Sequence, residues 1–118
     1  MPGNDRRTDA EALLRRFVAE AMETGADVIE FERLPEGLEI TLFHGQTGVG
    51  GVLKDRELKS ALFGLVDERT RKGRALVMDL GGKILSMRCE WYQSFGEACF
   101  RLRPAKSKAR IAGSKKPV

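Results

Sequence analysis

A chain of 118 residues, 42% hydrophobic and 32% charged, has the length and balance of one globular domain. It holds no apolar run near the roughly 20 residues of a membrane helix, and two cysteines with one histidine make neither a disulfide framework nor a four-ligand zinc site. The net charge of +4 is unevenly spread: 7 of the 21 basic residues lie from Arg101 onward with no acid among them, leaving 14 basic against 17 acidic residues before that point.

The N-terminus, MPGNDRRTDAEALL, lacks the apolar block of a secretory signal, which predicts a cytoplasmic protein. Residues 1–8 read as an arm. Ala10, Leu13, Leu14, Phe17, Val18, Ala21 and Met22 recur at spacings of three and one, the signature of one helix face. Thr8-Asp9-Ala10-Glu11 fits a capping box at its start, and Gly25 suits the left-handed residue at its end.

Two strands are expected next. Asp27 to Arg33 alternates Ile29 and Phe31 with Glu30 and Glu32, and Leu38 to Phe43 places Leu38, Ile40 and Leu42 on one side. Pro35-Glu36-Gly37 between them is turn chemistry, so the pair forms a hairpin. Leu58, Ala61, Leu62, Leu65 and Val66 mark a second helix, from near Asp55 to Gly73 at the latest.

Between hairpin and second helix lies HGQTGVGG, His44 to Gly51, whose glycines suggest a phosphate-cradling loop. A Walker loop needs a lysine and a hydroxyl after its last glycine, to neutralise phosphate and to hold magnesium. Gly51 and Val52 stand at those positions. The stretch is therefore expected to be a flexible connection from strand to helix, with no nucleotide hydrolysis.

Three further strands follow: Arg74 to Leu80, Lys83 to Tyr92 and Glu97 to Arg103. Gly81-Gly82 makes a two-residue hairpin turn, and a second turn falls near Ser94-Phe95-Gly96. On the middle strand Leu85, Met87, Cys89 and Trp91 share a face, as do Ala98, Phe100 and Leu102 on the last. Pairing around that turn is expected to set Cys89 near Phe100 and Cys99 near Glu90, with the sulfurs on opposite faces and no disulfide. After Pro104 the pattern dissolves, and residues 105–118 read as a disordered basic tail. The order α-β-β-α-β-β-β predicts a single α+β domain over 9–104, with a largely antiparallel sheet and both helices on one face.

Two stretches carry a family resemblance. GADVIEFERLPEGLEITLFHG is similar to a segment of the type II secretion and type IV pilus motor ATPases that reads G-A-S-D-I-H-I-E-P, then a turn, then a strand ending in D-G. Gly25, Ala26, Ile29 and Glu32 agree, whereas Asp27, Val28, Glu30 and Phe31 replace the family's Ser, Asp, His and Ile. GRALVMDLGGKILSMRCEWYQSFGEACFRLR resembles the end of the same module, with Gly73, Arg74, Gly81, Gly82, Lys83, Arg88, Gly96 and Glu97 in place. In that family the module is a PAS-like domain before the ATPase core, and its arginines reach the phosphates of nucleotide held by the core. The resemblance implies that Arg88 stands at one such position and Arg101 or Arg103 at the other.

Strand alternation puts Arg88, Glu90, Glu97, Cys99, Arg101 and Arg103 on one polar face, with Arg88 opposite Arg101. Like charges so placed need acids or an anion between them, and Glu90 and Glu97 are the expected acids. The functional expectation is a non-catalytic protein-binding or regulatory module with no cofactor, its partner a motor ATPase of a secretion or pilus system. The alternative is a nucleic-acid or anionic-surface binder acting through Lys106, Lys108, Arg110, Lys115 and Lys116.

Overall fold

The computed structural model describes residues 2–70 and 75–104, with side chains from Arg6 onward. Its elements are α1 (Pro2–Thr24), β1 (Val28–Leu34), β2 (Gly37–His44), β3 (Thr47–Leu53), α2 (Arg56–Thr70), β4 (Ala75–Leu80), β5 (Lys83–Ser94) and β6 (Glu97–Pro104). The expected α+β class is present, as two helices and a six-stranded antiparallel sheet ordered β3-β2-β1-β6-β5-β4. Gly73, Arg74 and the basic tail lie outside the described residues.

The order differs from the sequence expectation by one strand, and HGQTGVGG is where it differs. That stretch is no flexible connection. His44 pairs with Thr47 across a two-residue turn, and β3 then runs back along β2 as far as Leu38↔Leu53. Gly45 opens the turn at φ 67°, the first-position requirement of a type II′ hairpin. Its N–H donates to the Asp27 carboxylate at 2.7 Å. Glycine is required again at Gly50, where an added Cβ would stand 2.1 Å from the Ile40 carbonyl oxygen. β3 is exposed along nearly its whole length, so it lacks the in–out alternation that marks a strand in sequence.

The first helix also starts earlier than its capping box. Residues 2–8, expected as an arm, belong to α1, and Thr8 and Glu11 lie inside it. Arg6 reaches Asp55 at 2.9 Å and Glu57 at 3.3 Å, and Arg7 reaches Glu68 at 2.8 Å. Glu11 takes Arg69 at 2.9 Å instead of turning back on the backbone. Contacts with α2 thus extend a helix that local chemistry would have started later. Its C-terminus follows the sequence: Gly25 has φ 78°, and the Ala26 N–H donates to the Ala21 carbonyl at 2.8 Å, closing a Schellman motif. Asp55 caps α2, accepting from the Leu58 N–H at 3.0 Å.

Both helices bury one stripe against the same sheet face. Ala10, Leu14, Val18 and Ala21 from α1 and Leu62, Phe63, Leu65 and Val66 from α2 meet Ile29, Phe31, Leu38, Ile40, Met87, Phe100 and Leu102. Phe100 is the aromatic centre, stacked on Phe31 at 4.6 Å and met by the Phe63 and Trp91 rings at 5.1 Å. Each such large side chain contributes about 1.5–3 kcal/mol by leaving water. The Trp91 indole N–H donates to the Thr70 hydroxyl at 3.4 Å, which ties the end of α2 to β5.

Candidate functional site

Because the helices occupy one face, the polar side chains of β1, β6 and β5 share the other. The turn between β5 and β6 is tighter than expected: Ser94 pairs with Glu97 across Phe95 and Gly96. The register therefore shifts by two residues, which preserves every face but changes every partner. Arg88 lies opposite Arg103, not Arg101, and Glu90 lies opposite Arg101. Cys89 pairs with Leu102 and Cys99 with Tyr92, replacing the expected Phe100 and Glu90.

Each arginine meets a carboxylate. Glu90 bridges two, taking Arg103 Nε at 3.1 Å on one oxygen and Arg88 Nη1 at 3.6 Å on the other. The Arg103 hydrogen bond is the main cause holding the Glu90 carboxyl below its ordinary range. Arg101 turns to β1 instead, donating from Nε and Nη2 to Glu30 Oε2 at 3.2 and 3.1 Å. Its guanidinium also lies 4.2 Å above the Tyr92 ring. Glu30, not Glu97, is thus the second neutralising acid. It is brought there by the β1–β6 ladder, which pairs Glu30 with Arg101 across 71 residues of sequence. Beside them the Ser94 hydroxyl donates to Glu32 at 2.7 Å.

The three arginines are not equivalent. Arg101 is 31% exposed at its side chain and held by two kinds of contact, whereas Arg88 is 68% exposed and, among the described residues, makes one long ion pair. Arg88 is therefore the guanidinium that can turn to another anion with least loss. Arg103, 43% exposed, lies between these two.

The remaining chemistry-bearing residues are committed to structure. Cys89 sits in the core, where burial pushes its thiol up to about 12. Cys99 lies on the opposite face, as alternation predicted, but is buried, and its sulfur accepts the Arg33 N–H at 3.3 Å. Its thiol is likewise raised by burial. His44 meets the Thr24 hydroxyl at 3.0 Å, joining the end of β2 to the end of α1. Among the described residues no group of three or more His, Cys, Asp or Glu could hold a metal ion. Nor is any described helix long and apolar enough to cross a membrane. No protein-family model matches the chain, and no curated protein matches it.

Proposed function

We propose that this chain is a non-catalytic binding module that meets a protein partner through the outer face of its sheet, with Arg88 as the leading contact. The observation that carries the reading is the exposure of Arg88, 68% at its side chain, on a face that neither helix packs against. A planar guanidinium so placed suits a carboxylate or phosphate, which it grips through two parallel hydrogen bonds. The finer reading is a PAS-like domain acting with a motor ATPase of a secretion or pilus system in the cytoplasm. It rests on the stretches around Gly25 to Glu32 and Gly73 to Glu97, and the α+β architecture supports it.

The test is affinity for a purified motor ATPase, with and without bound nucleotide. Arg88→Ala is expected to weaken binding at least tenfold, or about 1.4 kcal/mol, and to leave melting unchanged. Equal affinity for wild type and variant overturns the role of Arg88. The five basic residues of 105–118, Lys106, Lys108, Arg110, Lys115 and Lys116, with no acid among them, favour a second reading in which the tail holds nucleic acid or an anionic surface. Such binding is expected to weaken steeply with salt and to vanish when residues 105–118 are deleted.

A further inference from the structure

Among the described residues, β3 leaves one edge of the sheet open. In a two-residue hairpin the closing pair exchanges both of its backbone hydrogen bonds, and the ladder then alternates. With His44 and Thr47 as that pair, Thr47, Val49, Gly51 and Leu53 aim their N–H and C=O groups at β2. Gly48, Gly50 and Val52 aim theirs away from it. Among the described residues no strand pairs with that side.

Protein sheets ordinarily blunt such an edge with charge, proline or a bulge. β3 reads TGVGGVL, without a charged residue or a proline, and its register with β2 runs unbroken from Thr47 to Leu53. The opposite edge, β4, carries Asp79. Val49 and Val52 on the open edge are 64% and 46% exposed.

We propose that a second copy of this chain adds to β3, antiparallel, about a two-fold axis through Gly50, so that one sheet runs through both protomers. The register follows from the backbone. Outward groups belong to Gly48, Gly50 and Val52, so these must pair among themselves, and centring on Gly50 engages all of them. Each valine then falls opposite a glycine. Val49 faces the partner's Gly51 on one side of the sheet, and Val52 faces the partner's Gly48 on the other. An added Cβ at Gly51 would meet nothing within 4 Å, so there is open space to receive Val49. At Gly48 the Phe43 ring already lies where a Cβ would stand, 2.7 Å from its nearest atom. The incoming valine therefore packs against a half-exposed aromatic. At the end of the seam Lys54 falls beside the partner's Gln46, so no like charges oppose one another. The strand is complementary to itself, as a two-fold interface requires.

Sedimentation equilibrium of the full chain over a wide concentration range, with amide hydrogen exchange on the same samples, tests this. The expected result is a monomer–dimer equilibrium in which the Gly48, Gly50 and Val52 amides gain protection as the dimer fraction rises. Val49 and Gly51, already bonded to β2, are protected throughout. The double substitution Val49→Lys with Val52→Lys is expected to raise the dimer dissociation constant more than tenfold while leaving the circular dichroism spectrum unchanged, because both side chains face water in the monomer. A chain that stays monomeric, a dimer indifferent to the two lysines, or edge protection independent of concentration overturns the proposal. The last of these would assign the edge to residues of the same chain. Should the double variant fail to fold, the exchange pattern of the unsubstituted chain decides by itself.

Discussion

Two glycines side by side in β3 should respond in opposite ways to the same methyl group. At Gly50 an added Cβ would stand 2.1 Å from the Ile40 carbonyl oxygen and 2.8 Å from the Thr41 Cα. Both are backbone atoms of β2, so no side-chain rotation relieves the clash. β3 must move away from β2, and the bonds that Val49 and Gly51 make to that strand lengthen. Losing about two or three ladder hydrogen bonds at about 1 kcal/mol each gives about 2–3 kcal/mol of destabilisation for Gly50→Ala. At Gly51 nothing lies within 4 Å, and its φ is not in the left-handed range. Gly51→Ala reduces the freedom of the unfolded chain and should stabilise by about 0.4–1 kcal/mol. With about 4 °C of melting shift per kcal/mol in a domain near this size, the two variants should differ by about 10–16 °C. Differential scanning calorimetry of dilute protein measures this. Equal shifts, or a tolerated Gly50→Ala, would refute the close approach of β3 to β2.

Phe95 holds φ 51° at the tip of the β5–β6 turn, with its ring fully exposed. Phe95→Asn should raise stability by about 1 kcal/mol, since asparagine enters the left-handed region more readily and no packing is lost; a lower melting temperature would contradict this. Arg101→Ala should cost about 1–2 kcal/mol, because it removes both the Glu30 pair and the contact with Tyr92, whereas Arg88→Ala should stay within about 0.5 kcal/mol. Denaturant titration of both variants checks the ordering, and equal losses would remove the distinction drawn between them. Glu11 and Glu90 are held below their ordinary 4.5, chiefly by hydrogen bonds from Arg69 and Arg103. A depressed carboxyl contributes stability that is complete above its unfolded value and is lost as pH falls through its folded one. Stability from this source should be complete above the ordinary 4.5 and decline as pH falls below it, with a shallower decline in Glu11→Gln and Glu90→Gln.

Much of the architecture was legible because its signals are local. The three-and-one spacing from Ala10 to Met22 marks α1, Asp55 caps α2, and Gly81-Gly82, at φ 59° and 89°, close the β4–β5 hairpin. Alternation placed Cys89 and Cys99 on opposite faces and gathered the arginines on one. Even the two-residue error in the β5–β6 register left those faces intact, since side chains repeat every second residue.

Elements that lack a local periodicity, or that depend on distant partners, were not legible. Thr47–Leu53 has glycines that weaken any strand signal and no buried face to impose alternation. It is a strand because β2 lies beside it and Gly50 lets the two backbones meet. The start of α1 rests on acids of α2 that lie about 50 or more residues away. Which acid neutralises Arg101 depended on β1 and β6 pairing across the centre of the sheet, a contact that no turn between them announces. Periodicity and turn chemistry act within a few residues, so sequence alone determined the body of each helix, the β1–β2, β4–β5 and β5–β6 hairpins and the sidedness of the sheet. Ladder pairing and ion pairing act across the folded chain, so the tertiary structure decided the sixth strand, the exposed β3 edge and the unequal commitment of the three arginines.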